Sequence, residues 1–364
     1  MKLRNIVLII VMVFVSLGCE KTEKDTIKVG VILPLTGDAA GYGMSAKKGV
    51  DLAIKEMGNK EDPSNIDFVY EDSQGDPRIG VTAFNKLKDL GGVQAVIGDL
   101  FSSVTLAFAP IANNSGIVVL SPASSSPEIT KAGDYIFRNC PSDIYEGSIM
   151  ANYAYGKLRY KKIGILYINN DYGIGIKNVF KKVFESNGGE IPIEEGYAQD
   201  NKNFRTALMK INTLNPDAIY LVGHKEMGNV LKQAKELNIS TQFLSTVTFE
   251  DPEILSIAGD AADGVLYTAS KFSVNSNDST ISKFVKSFRD MYNSDPDIFS
   301  VLSYDAAKII LTVLYEKSDL TLKNKLYGLS NYNSLLGKIS FDKNGDVVLE
   351  PTIKIVKNGK FLFN

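Results

Sequence analysis

Cysteine and histidine are scarce in this chain of 364 residues, which has two Cys and one His. Zinc and similar ions are held mainly by these side chains and by carboxylates, so a metal site is not expected, and no cofactor is expected either. The formal net charge is −2. A balance this close to neutral excludes bulk attraction to nucleic acid or to anionic lipid.

Motifs that carry catalysis are also missing. The sequence contains no Gly-x-Ser-x-Gly elbow and no Walker-type Gly-Lys-Ser/Thr. Gly173 and Gly175 follow a strand-like segment, but Asn178 stands where a dinucleotide-binding loop needs its third glycine. His224 is the only base available to a hydrolase triad. The chain is therefore not expected to be an enzyme.

The amino terminus is the one segment of a different kind. Lys2 and Arg4 precede a run at 6–17 that is apolar except for Ser16. This run is too short to span a bilayer, which takes about 20 residues. It predicts a secretory signal at 1–19.

The end of that segment, Ser16-Leu17-Gly18-Cys19, resembles a lipoprotein lipobox, although Ser16 stands where Leu is usual. The sequence thus predicts lipidation of Cys19, with residues 20–26 as a tether. The alternative is an ordinary signal peptide or an uncleaved anchor that happens to contain a cysteine. If Cys19 carries lipid, Cys140 is the only thiol left and no intrachain disulfide can form.

The rest of the chain alternates short β-rich runs with amphipathic helical runs. The predicted strands lie at 27–32, 66–71, 94–97, 117–120, 162–168, 189–194, 217–222, 242–246, 264–267, 337–341, 352–356 and 361–363. Alternation of strand and helix indicates parallel sheets covered by helices. Because the series restarts near residue 162, it predicts an α/β fold with two doubly wound lobes. Residues 342–345 and 358–359 predict hairpin turns.

Ligands of open parallel sheets bind where the loops at the carboxyl ends of the strands converge. Two of these loops, 98–103 and 121–126, are rich in serine and precede helical segments. A helix start offers free backbone N–H groups, and added hydroxyls suit a small carboxylate. The alternative is that these serines are only helix caps.

Six segments together resemble the branched-chain amino-acid (Leu/Ile/Val)-binding proteins, the type I periplasmic solute-binding proteins of ABC importers. They are 98–105, 121–130, 171–175, 226–228, 257–262 and 304–307. The resemblance implies two α/β lobes joined by three crossovers with the ligand between them. It places lobe one at 27–142 plus 272–348, and lobe two at 143–271 plus 349–364.

The resemblance also implies which residues bind. Ser102 is expected to bind a ligand carboxylate, Ala123 to offer backbone contacts, and Ser125 to contact both ligand ends. Tyr172 is expected to come from lobe two on closure. Tyr42 and Phe299 resemble the rings that line the side-chain pocket.

Two positions depart from the family pattern. Val247 stands where the family often has an acid that pairs with the ligand ammonium, and His224 stands near the place of an aromatic ring. Asp171 is our first candidate for a replacement acid, ahead of Glu226 and Glu250. The alternative is a ligand with an uncharged, amide-like end.

By this resemblance the protein captures an amino-acid-like solute outside the cytoplasm, anchored to the cell membrane by lipid on Cys19. It is expected to act as a monomer and to deliver the solute to an ABC transporter permease. Two alternatives keep the fold: a tethered sensor that signals to a membrane receptor, and a binder of an amide or urea-type solute.

Overall fold

Two large β-sheets organise the chain in the computed structural model, which describes residues 26–58, 66–199 and 201–364. The predicted signal peptide, the predicted lipidation at Cys19 and nearly all of the predicted tether lie outside these residues. We use the names lobe one and lobe two as defined above, and the boundaries of the lobes stay predictions.

The first sheet is entirely parallel, with strand order β2-β1-β3-β4-β5. Its elements in chain order are β1 (Ile27–Leu33), α1 (Ala40–Gly58), β2 (Ile66–Asp72), α2 (Pro77–Lys86), β3 (Ala95–Gly98), α3 (Ser102–Ser115), β4 (Val118–Ser121) and β5 (Ile136–Arg138). Every residue of β3 and β4 is buried. Both faces of these strands are therefore covered, as expected of a parallel sheet between helices.

The second sheet begins with another α/β series. Its elements are α4 (Asp143–Asn152), β6 (Ile163–Ile168), α5 (Asp171–Ser186), β7 (Glu194–Tyr197), α6 (Arg205–Thr213), β8 (Ala218–Val222), α7 (Met227–Glu236), β9 (Gln242–Ser245), α8 (Pro252–Ala258) and β10 (Leu266–Ala269). The strand order is β14-β13-β10-β9-β8-β6-β7. The two strands that complete this sheet come from the end of the chain.

The chain returns to lobe one before it ends in lobe two. The elements are α9 (Ser279–Tyr292), α10 (Ile298–Tyr315), α11 (Leu322–Gly328), β11 (Tyr332–Ser334), β12 (Gly337–Ile339), β13 (Thr352–Lys357) and β14 (Lys360–Phe363). β13 and β14 pair antiparallel across Asn358 and Gly359, both with positive φ. This is the two-residue turn that the Asn-Gly pair predicts. Short helical turns lie at Leu87–Gly91, Pro127–Lys131, Tyr153–Lys157, Val247–Phe249 and Gly259–Ala262.

Each sheet has its own hydrophobic core. One core draws on residues between 29 and 137 and between 272 and 347, and the other on residues between 150 and 269 plus Ile353 and Val356. Helix α10 is long and apolar enough to span a membrane by composition, but 72% of it is buried in the first core. It packs tightly on α1, since a side chain at Gly49 would come within 2.1 Å of the Ser300 carbonyl oxygen.

Some predicted elements were misplaced or missed. The strand predicted at 189–194 is wrong in position, because β7 covers Glu194–Tyr197. The backbone N–H groups of Ile163 and Ile165 donate to the carbonyl oxygens of Glu190 and Ile193. The two donors are two residues apart and the two acceptors are three apart, so an extra residue interrupts the pairing of the strands there. Neither the short β5 nor α4 was predicted.

Candidate ligand-binding site

The two sheets share one strand order, and this order decides where a ligand can bind. Lobe two repeats the β2-β1-β3-β4-β5 arrangement as β7-β6-β8-β9-β10. In such sheets the strand order reverses between two neighbouring strands, and a crevice opens at the carboxyl ends of these two strands. The two strands are β1 and β3 in the first sheet, and β6 and β8 in the second. The loops that follow β1, β3, β6 and β8 therefore flank the two crevices.

Side chains from these four loops and from the first turns of the helices that follow them line one small cavity of about 30 Å³, which we call the aromatic cavity, together with residues after β4 and β9 and at the start of α10. The lining consists of Tyr42, Leu100, Phe101, Ser102, Ser103, Ala123, Ser125, Asn170, Tyr172, His224, Thr248 and Phe299. Seven of the eight ligand-binding residues proposed from the sequence are among them. The structure thus brings together residues that are far apart in the sequence and come from both lobes.

Five rings of this cavity interlock across the lobes. The His224 ring of lobe two lies 5.4 Å from that of Tyr172, nearly parallel to it. It also lies 5.1 Å from the Phe101 ring and 5.9 Å from the Tyr42 ring of lobe one. Tyr42 and Phe299 are 4.8 Å apart, measured between centroids. Rings at these separations form an apolar wall with favourable edge and offset contacts.

His224 occupies this wall as a neutral ring. Burial lowers its pKa, partly offset by the negative charge of Glu226. Its Nε2 atom is buried and has no hydrogen-bond partner within the described parts of the chain. The ring therefore acts here mainly as an aromatic surface, with one polar atom unused.

Ser102 is held in place by the tight turn after β3. A side chain at Gly98 would come within 2.0 Å of the Ile32 carbonyl oxygen, so only glycine fits beside β1. The buried carboxylate of Asp99 accepts hydrogen bonds from the Ser73 hydroxyl at 2.5 Å and the Phe101 backbone N–H at 2.8 Å. These bonds set the start of α3, where Ser102 is the first helical residue.

The Ser102 hydroxyl keeps its donor capacity. Its oxygen accepts a hydrogen bond from the Ser126 backbone N–H at 3.1 Å. An oxygen that accepts in this way can still donate its hydrogen to an anion. The position at the start of α3 therefore suits the carboxylate role expected for Ser102.

Arg138 fixes the second serine-rich loop. It is fully buried, and its Nη1 donates to the carbonyl oxygens of Ser125 at 2.9 Å and Ser126 at 2.8 Å. Its Nε and Nη2 bind the two carboxylate oxygens of Asp346 at 2.7 and 2.8 Å. A bidentate pair of this kind is strong and directional. It holds the loop that carries Ala123 and Ser125 in one conformation.

Hydrogen bonds of two tyrosine hydroxyls and one serine hydroxyl connect the segments around the site. The Tyr172 hydroxyl bonds with the Thr246 hydroxyl at 2.8 Å, within lobe two. The Tyr42 hydroxyl accepts from the Lys225 backbone N–H at 2.9 Å, and the Ser126 hydroxyl donates to the Asp171 carbonyl oxygen at 3.1 Å. The last two bonds cross between the two lobes and stabilise this arrangement of the lobes directly.

A second, larger cavity of about 190 Å³ adjoins the aromatic cavity, with which it shares Ala123, Ser125, Thr248 and Phe299. We call it the crossover cavity, because its walls include the three predicted connections between lobes. Its other lining residues are Cys140, Pro141, Glu146, Val247, Ala269, Ser270, Lys271, Ile298, Leu302, Leu336, Val348, Leu349, Glu350 and Pro351. Most of this surface is apolar.

The three acids considered as partners for a ligand ammonium lie elsewhere. Asp171 is exposed, and Asn170 caps its helix instead. Glu226 accepts bonds from the Tyr197 hydroxyl at 3.1 Å and the His224 backbone N–H at 3.0 Å. Glu250 forms an ion pair with Lys354 at 2.6 Å. None of the three acids lines either cavity.

The sequence reasoning missed two other acids, Asp143 and Glu146 on α4. Glu146 lines the crossover cavity, and its Oε1 accepts from the Val247 backbone N–H at 2.6 Å and from the Thr268 hydroxyl. Burial raises the pKa of Glu146 to about 7. Acids are common in the first turn of a helix because their negative charge interacts favourably with the positive end of the helix dipole. The sequence therefore did not distinguish these two acids as ligand-binding residues.

Asp143 is fully buried, and neither carboxylate oxygen has a hydrogen-bond partner among the described residues. Burial and the nearby charge of Glu146 raise its pKa well above the usual range. The Ser125 hydroxyl lies beside this carboxylate without meeting the geometry of a hydrogen bond. In the described part of the chain no group of three or more metal-binding side chains is assembled.

Comparisons with known proteins agree with this geometry. Residues 26–356 match the family described as periplasmic binding protein. A leucine-, isoleucine-, valine-, threonine- and alanine-binding protein of Pseudomonas aeruginosa is 29% identical over 331 residues, which cover 89% of this chain and 87% of that protein.

Solved structures share the fold. A leucine-binding protein from Thermotoga maritima superposes with a TM-score of 0.87 at 28% identity, covering 93% of this chain and 98% of the other. A solute-binding protein of an ABC transporter from R. palustris, in complex with benzoate, gives a TM-score of 0.85 at 24% identity, with coverages of 93% and 95%. The latter likeness concerns the fold alone. The predicted fold class, an α/β protein of the type I periplasmic binding kind, is confirmed.

Proposed function

Since this chain belongs to the periplasmic binding protein family, we propose that it captures a branched-chain amino acid between its lobes and delivers it to the permease of an ABC importer. This family is one of solute-binding proteins and not of enzymes. Capture and release without chemistry fit a cleft of hydroxyls and rings.

The observation that carries the proposal is the convergence of four loops from two sheets on one cavity. Tyr42 and Ser102 come from lobe one, and Tyr172 and His224 from lobe two. A ligand that contacts both lobes binds the closed state better than the open one, so it shifts the population towards closure. A transport partner can then distinguish loaded from unloaded protein by shape.

The choice of ligand rests on the similar proteins and on the walls of the site. The relative from Pseudomonas aeruginosa is named for binding leucine, isoleucine and valine. Aliphatic side chains of that size match the apolar residues of the crossover cavity, among them Leu302 and Leu336. Ser102 at the start of α3 suits the carboxylate that all amino acids share.

The proposed location is outside the cytoplasm, on the membrane, through lipid on Cys19. The support is the lipobox-like sequence and membership of a periplasmic family. Replacing Cys19 by Ser tests it: the variant should lose lipid labelling and leave the membrane fraction or stay unprocessed. A variant that matures and fractionates like the wild type contradicts the anchor.

The central test combines binding with shape. The purified chain is titrated with a panel of amino acids, amides and benzoate by calorimetry, and the radius of gyration is measured by small-angle scattering with the best ligand. We expect leucine, isoleucine or valine to bind best and the radius to fall. An unchanged radius at saturation refutes the clamp, and preferred binding of an amide or of benzoate refutes the ligand class.

A further inference from the structure

Two side chains of the crossover cavity have hydrogen-bonding capacity that the protein does not use. Glu146 is 3% exposed and Ser125 is 8% exposed. Among the described residues, both hydrogen bonds to Glu146 reach Oε1 and none reaches Oε2. The Ser125 hydroxyl lies beside the Asp143 carboxylate without the geometry of a hydrogen bond. Buried polar groups are usually satisfied, so two unused ones facing the same cavity indicate a ligand.

The charge at this place is also unbalanced. Asp143 lies one helical turn before Glu146, and both are buried. The buried Arg138 is already paired with Asp346, and Lys271, which also lines the cavity, is exposed to solvent. Buried carboxylates without a cation are costly, and burial accordingly raises the pKa of Glu146 to about 7. A cationic group at the cavity would relieve this cost.

The lining of the crossover cavity restricts which kind of molecule can carry that cationic group. The lining of the cavity that contains Glu146 includes the apolar Pro141, Val247, Ile298 and Leu302, beside the charged Lys271 and Glu350. A strongly hydrated cation without an apolar part would gain little from such walls. A small molecule with one ammonium and one aliphatic chain would fill them.

We propose that Glu146, supported by Asp143, is the acceptor for the ammonium group of an α-amino acid whose aliphatic side chain lies in the crossover cavity. Ser125 lines both cavities and so connects this acceptor with the carboxylate position at Ser102. The assignment rests on the proposed function and gives the acid that Val247 cannot supply. It favours free amino acids over amide-like ligands and aromatic acids.

The test compares two ligands that differ only in the ammonium. L-leucine and 4-methylpentanoate, which is leucine without its amino group, are titrated calorimetrically into the full-length chain in detergent. The variant is Glu146→Gln, which keeps the shape and can still accept the bonds from Val247 and Thr268. Asp305→Asn is the matched control, because Asp305 is a buried acid of raised pKa that lines neither cavity.

We expect wild type to prefer leucine to 4-methylpentanoate. Glu146→Gln should weaken leucine binding by about tenfold or more, since it removes one partner of a buried charge pair. Binding of 4-methylpentanoate should change less than about twofold, and Asp305→Asn should bind both ligands like wild type. Cooperative urea unfolding of each variant verifies that it is folded.

Leucine binding by Glu146→Gln within twofold of wild type overturns the acceptor assignment and leaves the proposed function standing. A wild type that binds no amino acid, or binds 4-methylpentanoate as well as leucine, overturns the acceptor assignment without any variant. Absence of all amino-acid binding refutes the proposed function as well. Only the absence of all amino-acid binding by wild type refutes the proposed function, so failure of the acceptor assignment alone can be distinguished from failure of both.

Discussion

The ion pair between Arg138 and Asp346 gives a sharp prediction about stability. Both groups are buried, with the guanidinium fully inaccessible. Asp346→Asn keeps the shape of the side chain but removes its charge, so the guanidinium stays buried without its counter-ion. Removing one partner of a buried pair typically costs about 3–5 kcal/mol. We expect about 3 kcal/mol, since the carbonyl groups of the serine-rich loop still accept bonds from Arg138.

The expected loss is large relative to the total. Domains are stable by about 5–15 kcal/mol, so about 3 kcal/mol is a substantial share. For a lobe of this size each kcal/mol shifts the melting temperature by about 2–4 °C, so Asp346→Asn should lower it by roughly 6–12 °C. Scanning calorimetry and urea unfolding followed by circular dichroism measure both quantities. If the lobes melt separately, only the lobe-one transition should move.

The control is the surface pair of Lys323 and Asp134, whose side chains are 21% and 62% exposed. Surface pairs contribute about 0–1 kcal/mol, so Asp134→Asn should hardly change the transition. A loss below about 1 kcal/mol in Asp346→Asn would show that the buried guanidinium is adequately solvated without its carboxylate. That result refutes the reasoning.

Three further predictions concern single groups. Burial raises the pKa of Asp305 to about 7, so the contribution of its protonated form to stability is complete at low pH and is lost as pH rises from about 4 to 7. The unfolding free energy of wild type minus that of Asp305→Asn should therefore fall over this window. A difference that rises instead contradicts the burial of this acid. Ser102→Ala should weaken amino-acid binding by about 1.5–3 kcal/mol in calorimetry, and binding equal to that of wild type would remove Ser102 from the carboxylate site. The control is Ser115→Ala at the other end of α3, which is exposed, lines neither cavity and should not change binding. Burial raises the pKa of the Cys140 thiol to about 12, so iodoacetamide at pH 8 should label Cys140 only in urea. Labelling of Cys140 in the folded protein, distinguished from labelling of Cys19 by peptide mapping, would contradict its burial.

The loops of the site were predictable because their geometry follows from the fold. Once strands alternate with helices, the carboxyl ends of the strands must meet at one edge. Ser102, Tyr172 and His224 each follow a strand that was recognised from its apolar run, so their convergence needed no information about side-chain contacts. The Asn358-Gly359 turn was equally local, since its conformation depends on two residues.

The acids Asp143 and Glu146 could not be recognised in this way. In the sequence they are two carboxylates at a helix start, and α4 itself was not predicted. Their burial depends on Val247 and Thr268, more than 100 residues away, whose backbone and hydroxyl face Glu146. Arg138 and Asp346 are 208 residues apart in the sequence, so no local sequence pattern predicted that they pair. Long-range burial, and not periodicity, decides such positions.

The path of the chain has a consequence for how the protein is made. The core of lobe one needs α9 and α10, which follow every helix of lobe two in the sequence. When residue 271 has been synthesised, the first sheet still lacks the helix that packs on α1, and that apolar surface stays exposed. Domains fold as their chains become complete. The second sheet in turn waits for β13 and β14, which come after every element of lobe one. Neither lobe can therefore complete its core before most of the other has been synthesised.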